Sequence, residues 1–374
     1  MKIVLMFKAF DLTGAPKSMV WVANQLAGNG HDVLLLSYFG KVCEQPREEN
    51  VKYHWLKCKV SKNRFVRNSF GMAQSILKLG SFLSKEQPDL IITFLDSVGQ
   101  VYLLVNQFCN RFRIIASERV DPFSYSKKTA KRLRFLMGLS DGVVFQTEGA
   151  RAFYRDVPTI YDHSIVIPNP VVCTSKMKDL RKKNCKIRDN RIVTVGRLSI
   201  RQKRQDLLLR AFAIIHEAHP EVTLHIYGEG SDREKLENLT GELGLTESVV
   251  FEGLSNHIPE DICNAGLFVL SSDYEGIPNA LIEAMMLGVP SVSTDCSPGG
   301  ARLLIDDGEN GYLVPRGDHQ LLADRMLRLI EDQETADRFS KESMKISERF
   351  SEEKIAGLWC DFVRKVCDDV KREI

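Results

Sequence analysis

The chain has 374 residues, which is enough for two domains of about 150 residues with room for a smaller third. Its composition, with 44% hydrophobic and 27% charged residues, is that of a globular protein and excludes collagen-like, disordered and small disulfide-stapled classes. The formal net charge of +2 does not indicate a nucleic-acid-binding protein.

The first half of the chain alternates short apolar strands with helical patterns. Apolar runs predict strands at 3–7, 31–36, 90–94, 113–116 and 142–145, and the pattern from 17 to 28 predicts a helix. Continuous apolar strands separated by helices are typical of a parallel sheet that is covered on both faces. This half ends at residues 165–170, and the polar stretch 176–190 is predicted to be a linker.

The second half repeats this alternation. Strands are predicted at 192–195, 223–227, 249–251, 267–270 and 291–293, with helices between them at 205–216 and 232–243, and residues 352–374 have a helical pattern. The predicted fold class is therefore α/β, with two doubly wound Rossmann-like domains in tandem. Ligands of such sheets bind at the carboxyl ends of the strands, so the residues directly after each strand are the candidates for a site.

Charge and cysteine content bear on partners and location. Residues 1–165 hold 23 basic and 14 acidic side chains, whereas the remainder holds 28 basic and 35 acidic ones. Two halves of opposite net charge favour two domains that face different partners. The alternative is that the charged residues cluster by chance. The nine cysteines include no Cys-x-x-Cys pair, which indicates a reducing, cytoplasmic compartment. No apolar run approaches the length of a membrane-spanning helix.

Several catalytic motifs are absent from the sequence. Gly228-Glu229-Gly230 is followed by Arg233 where a dinucleotide-binding motif would place its third glycine, so a nicotinamide dehydrogenase is not expected. The sequence contains no Walker phosphate loop and no Gly-x-Ser-x-Gly elbow. It also lacks an Asp-x-Asp pair, which argues against the metal-dependent sugar transferases, and we expect neither a metal site nor a bound cofactor.

The clearest candidate site follows the predicted strand 267–270. Pro278 suits the first turn of a helix, and the exposed amides from Gly276 to Ala280 would form a positive helix start that seats a phosphate. Glu275 and Glu283 lie eight residues apart on either side of this turn and could direct their carboxylates to ribose or sugar hydroxyls. The alternative is an amphipathic helix whose glutamates are solvated.

A second candidate follows the predicted strand 192–195. Gly196 makes the turn, Arg197 can hold a phosphate with two hydrogen bonds, and Lys203 can supply a point charge. The alternative is a solvated basic loop, which describes Arg201 and Arg204 well.

Taken together, these segments resemble the retaining glycosyltransferases of family 4, including the members that build bacterial surface polysaccharides and lipid-linked oligosaccharides. The resemblance runs from about 191 to 330 and includes Arg197 with Lys203, the segments 228–230, 251–253 and 307–314, and the Glu275-to-Glu283 motif. It implies the glycosyltransferase-B architecture, in which two Rossmann-like domains face a cleft. Residues 1–167, joined by a C-terminal helix at 354–374, would bind the acceptor, and residues 168–353 would bind the nucleotide-sugar donor.

The resemblance also implies roles for single residues. Arg197 and Lys203 would bind the donor diphosphate, Glu283 the ribose and Glu275 the transferred sugar, so Glu275, Arg197 and Lys203 are the predicted catalytic residues. The other predicted donor-binding residues are Gly14, Gly228, Glu229, Gly276, Ile277, Pro278, Asn279 and Ala280. Many members place a histidine after the strand at 113–116, where this chain reads Ser117-Glu118-Arg119, and these three residues are assigned to the acceptor side.

The implied activity is metal-independent and retaining. A hexose or N-acetylhexosamine would move from a nucleotide-diphosphate sugar to a glycan acceptor that is lipid-linked. The resemblance implies UDP as the nucleotide of the donor. The basic amphipathic segments 124–137 and 57–83 favour peripheral contact of the amino-terminal half with an anionic cytoplasmic membrane face, and a solvated helix face is the alternative. A UDP-sugar epimerase of the same architecture and a non-catalytic carbohydrate-binding protein are the alternative functions.

Overall fold

The computed structural model describes residues 1–11, 14–58, 70–109, 112–171, 174–184 and 189–368. The chain divides into two compact units. Unit 1 comprises Met1–Asn169 together with Glu353–Ile374, and unit 2 comprises Pro170–Glu352. The domain boundaries predicted from the sequence lie within two residues of these divisions.

Unit 1 is built on a parallel sheet, sheet A, in the order β3-β2-β1-β4-β5-β6-β7. Its strands are β1 (Lys2–Phe7), β2 (Asp32–Ser37), β3 (Lys52–Trp55), β4 (Leu90–Thr93), β5 (Arg113–Ser117), β6 (Gly142–Phe145) and β7 (Ser164–Val166). Its helices are α1 (Gly14–Gly28), α2 (Phe70–Glu86), α3 (Ser97–Phe108), α4 (Lys127–Met137), α5 (Glu148–Ala152) and α6 (Pro158–Tyr161), with a 3₁₀ turn at Pro122–Ser124.

Unit 2 is built on a second parallel sheet, sheet B, in the order β10-β9-β8-β11-β12-β13. Its strands are β8 (Arg191–Val195), β9 (Thr223–Tyr227), β10 (Val249–Gly253), β11 (Leu267–Leu270), β12 (Ser291–Thr294) and β13 (Tyr312–Val314). Its helices are α7 (Ser175–Asn184), α8 (Ile200–Lys203), α9 (Gln205–Ala218), α10 (Arg233–Glu242), α11 (Ile258–Ile262), α12 (Asn279–Met286), α13 (Gly300–Leu304), α14 (His319–Glu331), α15 (Gln333–Ser343) and α16 (Ile346–Arg349).

The central strands of both sheets form the cores of the two units. All four residues of β4 and all four residues of β11 are buried, because helices cover both faces of each sheet. In each sheet the strand order turns back at one strand: β1 lies between β2 and β4, and β8 lies between β9 and β11. The predicted fold class, two doubly wound α/β domains, is confirmed.

The last described helix, α17 (Glu352–Asp368), packs against unit 1. Its buried face includes Trp359 and Val366, and a Cβ atom placed on Gly142 of β6 would lie only 2.8 Å from Cγ2 of Val366. Glycine at position 142 therefore lets the helix approach the strand closely. Among the described helices, none combines the length and the apolar composition needed to cross a membrane.

The structure differs from the sequence predictions at the sheet edges and in the linker. Strands β3, β7 and β13 were not predicted, and each of them is a short edge strand at one end of its sheet. The exposure of β3 alternates along the strand, so it lacks the continuous apolar run of a central strand. Strands β7 and β13 are only three residues long, which is too short for a clear pattern. The predicted linker at 176–190 was also wrong in part, because α7 occupies residues 175–184 as a polar helix.

Candidate active site

The loops that follow β8 and β11 meet where the strand order of sheet B turns back. Lys203 ends the short helix α8 after β8, and its Nζ donates a hydrogen bond to Oε1 of Glu275 at 2.5 Å. The hydroxyl of Ser272 donates to the same oxygen at 2.7 Å. The side chains of Lys203 and Glu275 are only 18% and 10% exposed. The two predicted catalytic side chains of opposite charge are thus brought together as a largely buried ion pair.

The backbone of the loop after β11 is held by its neighbours on both sides. The amide of Asp273 donates to the carbonyl of Gln202 at 2.8 Å, and the hydroxyl of Ser271 donates to the carbonyl of Lys203 at 2.8 Å. On the other side, the amide of Glu275 donates to the carbonyl of Ser297 in the loop after β12 at 2.8 Å. These hydrogen bonds fix the backbone of the loop at Glu275.

The turn after Glu275 leads into helix α12. Pro278 takes the N-cap position in an extended conformation, so the helix begins at Asn279 and the prediction of Pro278 in the first turn was wrong by one residue. Proline has no polar side chain with which to cap the first amides of the helix, and a helix start favours an anion. The turn is closely packed, since a Cβ atom on Gly300 would lie 2.0 Å from the carbonyl oxygen of Gly276.

The two glutamates of this segment differ in exposure. Glu275 is buried, and Glu283, in the second turn of α12, is half-buried. Ile277 is buried as well. The alternative of a solvated glutamate therefore does not describe Glu275, and the half-buried Glu283 remains partly exposed.

The loop after β9 packs against the loop after β8 through two glycines. A Cβ atom on Gly228 would lie 2.1 Å from the carbonyl oxygen of Gly196, and one on Gly230 would lie 2.1 Å from that of Leu198. The amide of Leu198 donates to the carbonyl of Glu229 at 3.1 Å across this contact. Gly228 and Gly230 thus position the Arg197 loop through backbone contact. The Glu229 carboxylate pairs with Arg233.

The cations around Lys203 differ in how they are compensated. The Arg197 side chain is exposed and makes no ion pair with any residue that the structure describes. Arg204 was predicted to be solvated, and this was wrong, because it pairs with Asp206 and Asp273. Arg204 adopts a left-handed conformation with φ of 50°, and its paired guanidinium lies half-buried beside the loop.

In unit 1, the structure places the predicted acceptor-side residues at the end of β5. Ser117 is buried and donates a hydrogen bond to the carbonyl of Val144. The buried Glu118 carboxylate accepts hydrogen bonds from the hydroxyls of Tyr125 and Tyr154, at 2.7 and 3.0 Å. Burial raises the pKa of Glu118 to about 7. Glu118 therefore anchors the segments that carry the two tyrosines.

The remaining predictions concern Gly14, a metal site and the basic segment 57–83. Gly14 is exposed and is the first residue of α1, three residues before the predicted helix start. The described residues contain no group of three or more His, Cys, Asp or Glu side chains that could hold a metal ion. Of the segment 57–83, residues 59–69 with Lys59, Lys62, Arg64, Phe65 and Arg67 lie outside the described residues.

Two residues of these sites were not predicted from the sequence. Ser272 hydrogen-bonds Glu275, and its position directly after a predicted strand was a usable signal. Asn169 accepts a hydrogen bond from Arg119 at 3.1 Å. It follows the edge strand β7, which was itself not predicted, so no signal marked it.

Comparison with known proteins gives a match to a family model in unit 2. Residues 176–346, which all lie in unit 2, match the family model described as "Glycosyl transferases group 1". An uncharacterized glycosyltransferase of Haemophilus influenzae is 27% identical over 349 residues, which cover 92% of this chain and 95% of the relative.

Solved glycosyltransferase structures share the fold over nearly the whole chain. HepE of Anabaena, in complex with UDP, has a TM-score of 0.75 at 19% identity and covers 98% of this chain and 100% of its own. The lipopolysaccharide outer core galactosyltransferase WaaB, in its apo form, has a TM-score of 0.73 at 22% identity and covers 98% of this chain and 99% of its own. The predicted glycosyltransferase-B fold is confirmed.

The close contact at Gly230 generates a prediction about stability. Gly230→Ala is expected to lower the free energy of unfolding by about 2 kcal/mol or more, because the added methyl group must displace the backbone of Leu198. Gly241→Ala is the matched control, since a Cβ atom there meets nothing within 4 Å and alanine favours a helix by roughly 0.5–1 kcal/mol. Urea unfolding followed by circular dichroism measures both. Equal destabilisation by the two variants would contradict the backbone contact.

The Lys203–Glu275 pair generates a second prediction. Lys203→Ala is expected to cost stability of the order of 3 kcal/mol, because it leaves the buried Glu275 carboxylate without a cation. The double variant Lys203→Ala/Glu275→Gln should recover part of this loss. Arg197→Ala, at an exposed cation without an ion pair among the described residues, should change stability by less than about 0.5 kcal/mol. Additive losses in the double variant would show that the two side chains do not interact.

Proposed function

We propose that this chain is a retaining glycosyltransferase that moves a hexose or N-acetylhexosamine from a UDP-sugar to a glycan acceptor of a bacterial surface polysaccharide or oligosaccharide. The observation that carries the proposal is the buried Lys203–Glu275 pair beside the uncapped start of α12. An ammonium, a carboxylate and a helix start in one place suit a diphosphate joined to a polyhydroxylated sugar.

The choice of donor rests on both the site and the comparisons. The HepE structure, which shares the fold, is described as a complex with UDP. The half-buried Glu283 on α12 offers a carboxylate that can accept hydrogen bonds from both hydroxyls of a ribose. The description of WaaB as a lipopolysaccharide galactosyltransferase supports a surface glycan as the kind of acceptor.

The proposed reaction exchanges one bond for another on a single face of the sugar. The bond from the anomeric carbon to the β-phosphate oxygen breaks while the acceptor hydroxyl forms a bond to that carbon. The hydroxyl proton passes to the departing β-phosphate, and so UDP leaves. Arg197, Lys203 and the start of α12 would stabilise the charge that grows on the diphosphate. Glu275, neutralised by Lys203, would hold sugar hydroxyls rather than act as a nucleophile.

The donor assignment is tested by calorimetry with UDP. Glu283→Ala is expected to weaken UDP binding by about tenfold or more, since a hydrogen bond to a charged acceptor contributes roughly 1.5–3 kcal/mol. Glu242→Ala, at an exposed glutamate on α10, is the control and should bind UDP as the wild-type chain does. Unchanged affinity in Glu283→Ala would remove this residue from the site. Product analysis with UDP-hexoses then separates transfer or slow hydrolysis from epimerisation of the donor.

Metal independence is a further part of the proposal. If Arg197, Lys203 and the helix start neutralise the diphosphate, chelation by EDTA should leave most of the transfer activity in place. The measurement is the initial rate of UDP release with EDTA, and with manganese or magnesium added back as the control. Activity that is lost with EDTA and restored by a divalent cation would contradict this mechanism.

The acceptor is proposed to be lipid-linked, with unit 1 resting on an anionic membrane face. In the segment 124–137, Leu133 and Leu136 are buried in the core, whereas Phe135 is 60% exposed. Exposed cations on the same helix are Lys127, Lys128, Lys131 and Arg132. Arg134 is half-buried and pairs with Asp156, so it does not belong to this surface. An exposed aromatic ring beside exposed cations suits an interface with anionic lipid.

Membrane contact is tested by co-sedimentation with vesicles. Each exposed cation near anionic lipid contributes about 1 kcal/mol, and salt screens this within about 10 Å at 0.1 M. Glutamine in place of Lys127, Lys128, Lys131 and Arg132 should abolish salt-sensitive binding to anionic vesicles while donor hydrolysis continues. The control variant carries glutamine at four exposed unit 2 positions, Arg210, Lys235, Lys341 and Lys345. Equal binding to neutral vesicles, or none to either kind, would mean that this surface is only solvated.

A further inference from the structure

The guanidinium of Arg119 is held in a defined position directly after β5. It stacks on the ring of Phe94 at 4.2 Å from the ring centroid, and lies 5.8 Å from the ring of Trp359. Its Nη1 donates a hydrogen bond to the amide oxygen of Asn169 at 3.1 Å. The side chain is half-buried, and every one of these neighbours is uncharged.

No carboxylate compensates the charge of Arg119 among the residues that the structure describes. Its Nε is buried without a hydrogen-bond acceptor in this part of the chain. The adjacent Glu118 carboxylate is engaged by Tyr125 and Tyr154 instead. Burial lowers the pKa of Arg119 to about 9, so the side chain is still a cation at neutral pH. Arginines that are fully buried are seldom left without a partner, and the Arg119 side chain is partly buried.

Two other stacked arginines of unit 1 show the ordinary arrangement. Arg134 stacks on Phe153 and pairs with Asp156 at 2.5 Å. Arg151 stacks on Tyr161 at 4.4 Å and lies 3.9 Å from a carboxylate oxygen of Glu148. Stacking alone therefore does not explain why Arg119 lacks an anionic partner.

The neighbours of Arg119 come from several strand ends of sheet A. Phe94 follows β4, and Asn169 follows β7. The Asn169 amide oxygen also accepts a hydrogen bond from Gln146, which follows β6, at 2.9 Å. The guanidinium is thus held at the carboxyl edge of a parallel sheet, the edge at which such folds bind ligands.

We propose that Arg119 binds an anionic phosphate oxygen of a substrate. The planar guanidinium presents paired N–H donors that match a phosphate, and its stacked position removes the entropy cost of ordering it. The phosphate has two sources in the proposed reaction, on which this inference rests: the diphosphate of the donor, or a phosphate of the acceptor. Asn169 and Phe94 act as positioning residues that orient the guanidinium group without neutralising its charge.

The experiment is calorimetry on the full chain with two probes, UDP and inorganic pyrophosphate. Pyrophosphate is titrated both alone and after saturation with UDP, which fills the donor site. The variants are Arg119→Gln, which removes the positive charge, and Arg119→Lys, which keeps the charge but lacks the paired N–H donors of the guanidinium group. Arg151→Gln is the matched control, since it removes a stacked arginine that already has a carboxylate nearby.

Two results support the proposal and separate the sources. If the UDP-saturated wild type binds pyrophosphate, and Arg119→Gln binds it at least tenfold more weakly with UDP affinity unchanged, the phosphate belongs to the acceptor. If UDP affinity itself falls at least tenfold in Arg119→Gln, and saturating UDP prevents pyrophosphate binding, the phosphate belongs to the donor. Arg151→Gln should match the wild type in both cases.

Wild-type affinity for both probes in a folded Arg119→Gln variant would overturn the proposal. Should that variant fail to fold, Arg119→Lys decides: at least a threefold loss of affinity for either probe supports phosphate binding, and an unchanged affinity for both overturns it. The proposed function fails separately, if the wild-type chain binds no UDP at all, and the pyrophosphate titration still reports on Arg119 in that case.

Discussion

The ion pair between Lys203 and Glu275 is the contact on which the geometry of unit 2 depends. It joins the loop after β8 to the loop after β11, at the point where the strand order of sheet B turns back. Because Glu275 is buried, its charge is tolerated only with the ammonium of Lys203 and the hydroxyl of Ser272 beside it. The atoms that this stability requirement brings together are also those best suited to a diphosphate sugar.

Close backbone contacts hold the rest of this edge of sheet B. Gly228 and Gly230 bring the loop after β9 against the loop after β8, and Gly300 brings the start of α13 against Gly276. In each place a Cβ atom would overlap a carbonyl oxygen, so the contacts depend on glycine. The loops that would surround a donor are thus fixed by main-chain packing, and side chains such as Arg197 extend from a rigid frame.

The charged residues near the end of β5 in unit 1 are arranged differently. Near the end of β5, the Glu118 carboxylate is held by two tyrosine hydroxyls, and Arg119 is held by an amide and an aromatic ring. Both side chains are therefore held by neutral groups. Arg119 has no ion pair among the described residues, whereas Lys203 and Glu275 pair with each other.

The sequence by itself determined the α/β class, the two-domain organisation and the central strands, because continuous apolar runs are local features of the chain. It also located the loops after residues 195 and 270, since parallel sheets gather ligands at the ends of their strands. The edge strands β3, β7 and β13 were not predicted, because β3 alternates in exposure and β7 and β13 are only three residues long.

Only the tertiary structure decided which charges meet. Lys203 and Glu275 are 72 residues apart, and Arg204 and Asp273 are 69 apart, so each pair depends on β8 and β11 being neighbours in sheet B. Strand order arises from packing across the whole unit, and no local pattern contains it. For the same reason, the sequence predicts a cation at Arg119 after a strand but does not show whether this cation has an ion pair. That Arg119 has none among the described residues is a property of the folded chain.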